Sequence, residues 1–136
     1  MTDAYRRNIG KIRKIFKKYK IILAVQYGSS VKSRSPKDYD LALYSKRPSR
    51  DLLIKIQSEL QPFFDRPLDL AVLSSRTDPL LAYEIVTGGS VMYQARKHAF
   101  ETWLVYAWRR YLDTKKFRDL ERMYIKKGLK YVTGRD

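Results

Sequence analysis

The sequence predicts an α/β (α+β) fold, a small mixed β-sheet with flanking helices, and three observations carry that expectation. Short apolar or alternating runs at 21–27, 38–43, 67–73 and 91–93 read as strands. Stretches with helical spacing separate them, and Gly, Pro, Ser and Asp punctuate the joins. The chain has 136 residues, enough for a single domain with a real core, and no room is left for a second. The expected layout is one domain over 1–136, with a core of about 20–94 and C-terminal helices over about 95–130.

Composition narrows the possibilities. Hydrophobic residues at 44% and aromatics at 13% argue against disorder, and the longest uncharged apolar run falls far short of a membrane span. Without cysteine there can be no disulfide, thiolate metal site or cysteine nucleophile. The N-terminal residues lack the apolar stretch of a secretory signal, so the expectation is a cytoplasmic protein with no membrane contact. Lys and Arg number 29 against 14 Asp and Glu, a net charge of +15. Such a surface attracts polyanions, acidic partners and nucleotides, which keeps RNA open as a partner.

The elements follow in order. Between Asp3 and Lys20, residues Tyr5, Ile9, Ile12, Phe16 and Tyr19 recur at helical spacing, with Arg and Lys on the other faces. This amphipathic helix should cover one side of the sheet. The unbroken apolar run from Ile21 marks a strand buried on both faces, and it delivers Gly28-Ser29-Ser30. A strand stopping at a glycine followed by hydroxyl residues can open a helix whose free N–H groups face an anion. Either serine can equally serve as a helix N-cap; Ser29 is the expected phosphate contact and Ser30 the structural one. Lys32, Arg34 and Lys37 follow in a basic loop closed by Ser35-Pro36, and are candidates for neutralising a triphosphate.

Next comes the alternating run Asp38-Tyr39-Asp40-Leu41-Ala42-Leu43. A period of two puts Asp38, Asp40 and Ala42 on one face and Tyr39, Leu41 and Leu43 on the other. The two carboxylates point the same way and repel unless a cation lies between them, which suggests a divalent metal. Ser49-Arg50-Asp51 starts a helix with Leu52, Leu53, Ile56 and Leu60 as its apolar face, ended by Pro62. Then Leu68-Asp69-Leu70-Ala71-Val72-Leu73 repeats the strand pattern and offers a third carboxylate. Parallel and antiparallel pairing with the Asp38 strand are equally open. Asp65 reads as a turn residue or a partner of Arg66. Three acids, a Gly-Ser turn and a basic loop make a site for a nucleoside triphosphate with Mg2+, where two ions could clamp the attacking and leaving oxygens.

Gly28-Ser29, Asp38-Tyr39-Asp40 and Asp69 within LDLAVL resemble the signature of the minimal nucleotidyltransferases of the DNA polymerase beta-like superfamily, the compact MNT (MntA-type) antitoxins that partner HEPN-domain toxins. The order of the later elements agrees, so the likeness covers most of the chain. The spacer from Ser30 to Lys37 is shorter than usual for these proteins and lacks the Arg-Gly often found there. The resemblance implies a polymerase beta palm-like fold and an Mg2+-dependent enzyme that transfers AMP from ATP to a hydroxyl. Asp38, Asp40 and Asp69 would be the catalytic and metal-binding residues, and Gly28, Ser29, Lys32 and Arg34 would hold the nucleotide. It further implies an antitoxin that modifies a tyrosine of a HEPN ribonuclease, in a homo- or hetero-oligomer. Transfer to RNA or to a small molecule, and a non-catalytic module that masks a toxin, are the alternatives.

The remaining segments read more plainly. Thr77-Asp78-Pro79 opens a helix that Gly88-Gly89 stops, and Val91-Met92-Tyr93 offers an edge strand. Glu84 reads as a solvated acid. From Ala95 to Lys127 the pattern is helical, with a break expected around Asp113-Thr114. Its aromatics are too many for one narrow stripe; that some are exposed as a partner surface, or that all serve as core of a small domain, are equally open readings. His98 is the sole histidine, which argues against a histidine-based metal site, and it reads as a surface or boundary residue.

Overall fold

A computed structural model describes residues 6–28, 31 and 36–128. Among these, the order of elements is α1 (Ile9–Lys18), β1 (Leu23–Tyr27), β2 (Tyr39–Tyr44), α2 (Arg50–Leu60), a 3-10 turn (Gln61–Phe63), β3 (Leu68–Leu73), α3 (Pro79–Gly88), β4 (Ser90–Gln94) and α4 (Ala99–Lys126). The strands form one mixed sheet in the order β3-β2-β1-β4. β1 runs antiparallel to both β2 and β4, while β2 and β3 are parallel and joined through α2. That settles the pairing the sequence leaves open: a helix-length connection returns the chain in the same direction, where a hairpin would reverse it.

Strand alternation sorts the core into two layers. Tyr39, Leu41, Leu43 and Leu68 face Ile12 and Phe16 of α1 and Ile56 and Leu60 of α2. Leu23, Val25, Ala42 and Leu73 face the other way, against Ile85 of α3 and Trp103 of α4. Ala82 and Val86 of α3 then meet Ala107 of α4, small residues that let the two helices approach closely. Lys18 bonds Glu59 at 2.9 Å and the Tyr19 hydroxyl donates to the same carboxylate, tying α1 to α2.

Local signals place the helix starts. Ser49 Oγ accepts Leu52 N–H at 3.1 Å, and Asp78 Oδ2 accepts Leu81 N–H at 3.1 Å with Pro79 in the first turn. Two expectations need correction. The first strand starts at Leu23, because Ile21 N–H is taken by the Phe16 carbonyl at the end of α1. The chain from 99 to 126 is one helix, not several, and passes unbroken through Asp113-Thr114. Thr114 Oγ1 bonds back to the Arg110 carbonyl at 3.0 Å, which lets a modest helix former sit mid-helix. Asp65 stands in the bend before β3, as expected of a turn residue, and accepts the Tyr39 hydroxyl at 2.9 Å.

Gly89 lies where α3 passes over β1. A Cβ there would meet the Ile85 carbonyl oxygen, Val25 Cγ1 at 2.5 Å and the Gln26 carbonyl oxygen at 3.0 Å. Its φ of −88° suits any residue, so the constraint is packing alone. Gly89→Ala is expected to cost about 1–3 kcal/mol in urea unfolding, since two of the three obstacles are backbone that cannot turn aside.

Candidate active site

The sheet topology brings distant residues to one end of one face. The C-terminal end of β1 adjoins the N-terminal ends of β2 and β3, and the register pairs Tyr27 with Asp40 and Asp40 with Asp69. Paired residues on neighbouring strands point to the same face about 5 Å apart. Tyr27, Asp40 and Asp69 therefore form a row across three strands, and Asp38, two residues before Asp40, extends it along β2. Small side chains, Ala42 and Ala71, come next on β2 and β3.

The electrostatics follow from this crowding. Burial, then Asp38, then Asp69 push the Asp40 carboxyl above its ordinary value, and a hydrogen bond with the Asp69 carboxyl adds to the effect. The Tyr27 phenol is raised in turn by burial and by Asp40, Asp69 and Asp38. Among the described residues no lysine or arginine forms an ion pair with these three acids. Nor do three His, Cys, Asp or Glu side chains already stand in a metal-ligating arrangement there. The row is a concentration of negative charge on hard oxygen ligands, the donor chemistry suited to Mg2+.

Gly28 closes the row. Its φ is +77°, and a Cβ there would lie 2.7 Å from Asp40 Oδ2. Backbone and carboxylate thus approach as closely as only glycine permits.

Of the residues singled out in the sequence, Gly28, Asp38, Asp40 and Asp69 are brought together. Ser29, Ser30, Lys32 and Arg34 lie outside the described residues, and Lys37 is exposed. Glu84 and His98 are exposed, as expected. The sequence reading missed Tyr27. Its signal was its place immediately before Gly28: antiparallel pairing of the first two strands puts a strand's last residue beside the next one's first acid.

A family model described as polymerase beta nucleotidyltransferase matches residues 10–98, which contain the whole acid row. The chain belongs to that family. Solved structures agree on the fold of this nucleotidyltransferase. A chain of a mutant MntA–HpeT toxin–antitoxin crystal structure aligns with a TM-score of 0.69 at 19% identity, over 88% of this chain and 97% of the other. One from a toxin–antitoxin structure with AMP-PNP gives 0.68 at 20%, over 88% and 97%. The Shewanella oneidensis complex of a tri-AMPylated HEPN toxin with its MNT antitoxin gives 0.66 at 20%, over 90% and 96%. No curated protein sequence matches the chain. Among the described residues no helix is long and apolar enough to cross a membrane.

Proposed function

We propose that this nucleotidyltransferase transfers AMP from ATP to a hydroxyl, with Mg2+, and that the acceptor is a tyrosine of a HEPN-type toxin which the protein thereby silences. The observation that carries this reading is the in-register row of Asp40 and Asp69 beside Gly28, with Asp38 on the same face. The AMP-PNP and tri-AMPylated toxin complexes among similar folds support the choice of nucleotide and acceptor.

Asp38, Asp40 and Asp69 would hold Mg2+, which when bound supplies charge neutralisation at the phosphates. Gly28, with Ser29, would hold the β- and γ-phosphates. The acceptor oxygen forms a bond to the α-phosphorus, the bond from that phosphorus to the bridging oxygen breaks, and pyrophosphate leaves. Asp69, exposed at the end of the row, takes or orients the acceptor's proton. Tyr27 stands at one edge of the row, paired with Asp40. Beyond that, the chain's contribution is position and charge.

The outer side of α4 supports a protein acceptor. Val105, Trp108, Leu112, Leu120 and Met123 are all exposed on it, a stripe opposite the buried Trp103 and Ala107.

The test uses ATP labelled at the α-phosphate, Mg2+ and a HEPN protein encoded beside this gene. Label is expected on that protein, none is expected from γ-labelled ATP, and EDTA or Asp38→Asn with Asp40→Asn should abolish it. Label on total RNA instead would move the acceptor to nucleic acid, which the charge of +15 would favour. Silencing of the toxin that survives the double substitution would replace catalysis by masking.

A further inference from the structure

The acid row occupies one end of β2 and β3; a cavity of about 410 Å³ occupies the other, where the two parallel strands end in Ser45 and Ser74. Tyr44, Trp103 and Tyr106 line it, together with Leu73 and Lys46. Tyr44 is four residues along β2 from Asp40, roughly 13 Å, so a ligand here does not touch the acids. The rings meet edge to face. Tyr44 and Trp103 lie 5.0 Å apart at 67°, Trp103 and Tyr106 5.1 Å apart at 85°. Hence they present walls in more than one direction. Trp103 is nearly buried, while Tyr106 is 38% exposed.

Size, placement and charge each narrow the occupant. A concave space of this volume with aromatic walls and a few polar groups suits a small molecule, and the carboxyl ends of parallel strands are where open sheets receive ligands. Aromatic walls at right angles also suit an organic cation. Here the neighbouring charges oppose one: Lys46 is among the lining residues, and the Arg110 guanidinium lies 5.6 Å from the Tyr106 ring centroid. Among the described residues Lys46 forms no ion pair. An aromatic anion meets ring walls and a free ammonium together. Ser45 and Ser74 already accept the backbone N–H groups of Arg47 at 3.3 Å and Arg76 at 3.1 Å, which fixes their hydroxyls. Their hydroxyl hydrogens remain for donation to a ribose or phosphate oxygen.

We propose that this cavity is a second nucleotide site, separate from the acid row, taking a heteroaromatic base against Tyr44, Trp103 and Tyr106 and a phosphate at Lys46. The proposal does not rest on nucleotidyl transfer, and each can fail without the other. Two sources offer the same chemistry, a free mononucleotide and the end of a single-stranded RNA.

Trp103 is a built-in reporter, because the chain has two tryptophans and Trp108→Phe leaves it alone. In that background, with EDTA present to keep metal from the acids, AMP is expected to quench the fluorescence saturably. Lys46→Ala and Tyr106→Ala should each weaken binding about tenfold, in line with the usual loss of one stacking or phosphate contact. Asp40→Asn should leave it unchanged. If Tyr106→Ala fails to fold, Lys46→Glu carries the same comparison. Pentaadenylate binding at least tenfold tighter than AMP assigns the site to an RNA end; equal binding assigns it to the free nucleotide. The proposal is overturned by no saturable quenching up to about 5 mM, by binding that Lys46 and Tyr106 do not affect, or by binding that Asp40→Asn removes.

Discussion

Asp40→Asn is expected to lower nucleotidyl transfer about 10²–10³-fold while making the metal-free protein more stable at neutral pH. Both effects come from one carboxylate placed beside two others. The folded state raises the Asp40 carboxyl above its ordinary 3.8, first by burial and then through Asp38 and Asp69. A raised acid binds its proton more tightly when folded than when unfolded. Its contribution to stability is therefore present at low pH and lost as pH rises from the ordinary carboxylate value through the raised one. Asparagine carries no charge at any pH. The variant's advantage should thus appear across that window, persist to neutrality, and vanish in acid. Melting temperatures of both proteins between pH 3 and 7, without divalent cations, measure this directly. A variant less stable than the parent at pH 7 would mean that Asp40 is a structural partner and not a site residue.

Gly28→Ala should damage function far more than folding. The left-handed backbone alone costs alanine about 1–2 kcal/mol. The new methyl would also stand 2.7 Å from Asp40 Oδ2. That oxygen is the tip of a short side chain, so it yields by rotating and little further stability is lost. It yields, however, at the position the chemistry needs, and a displacement of this kind costs transfer about 10²-fold. Combining Gly28→Ala with Asp40→Asn should cost little beyond the worse single change, because both act through one carboxylate. Full transfer by Gly28→Ala would show that the row does not bind the nucleotide as proposed.

How much of this was legible depends on how local each cause is. Alternation along 38–43 and 68–73 assigned every side chain to its correct face, because a strand's period is a property of its own backbone. Ser49 and Asp78 announced their helices for the same reason: a cap bonds three residues on. Pairing direction and register were not legible. They are set where Leu41, Leu43 and Leu68 meet Ile56 and Leu60, a contact no short window contains. Tyr27 was hidden on that account, since it joins the site only through its pairing with Asp40. The bond from Tyr39 to Asp65 spans 26 residues and was equally out of reach. The expected break at Asp113-Thr114 failed in the other direction, where low intrinsic preference was outweighed by a helix already running on both sides.

The outer stripe of α4 also bears on how copies of this protein behave toward one another. Trp108 is 52% exposed and Leu112 46%, and such greasy surface would ordinarily drive clumping. A charge of +15 works against it, because two like-charged molecules repel before the stripes can touch. Salt shortens the reach of that repulsion to about 8 Å at physiological ionic strength, so contact between two such stripes is a colloidal matter that ionic strength tunes independently of the fold.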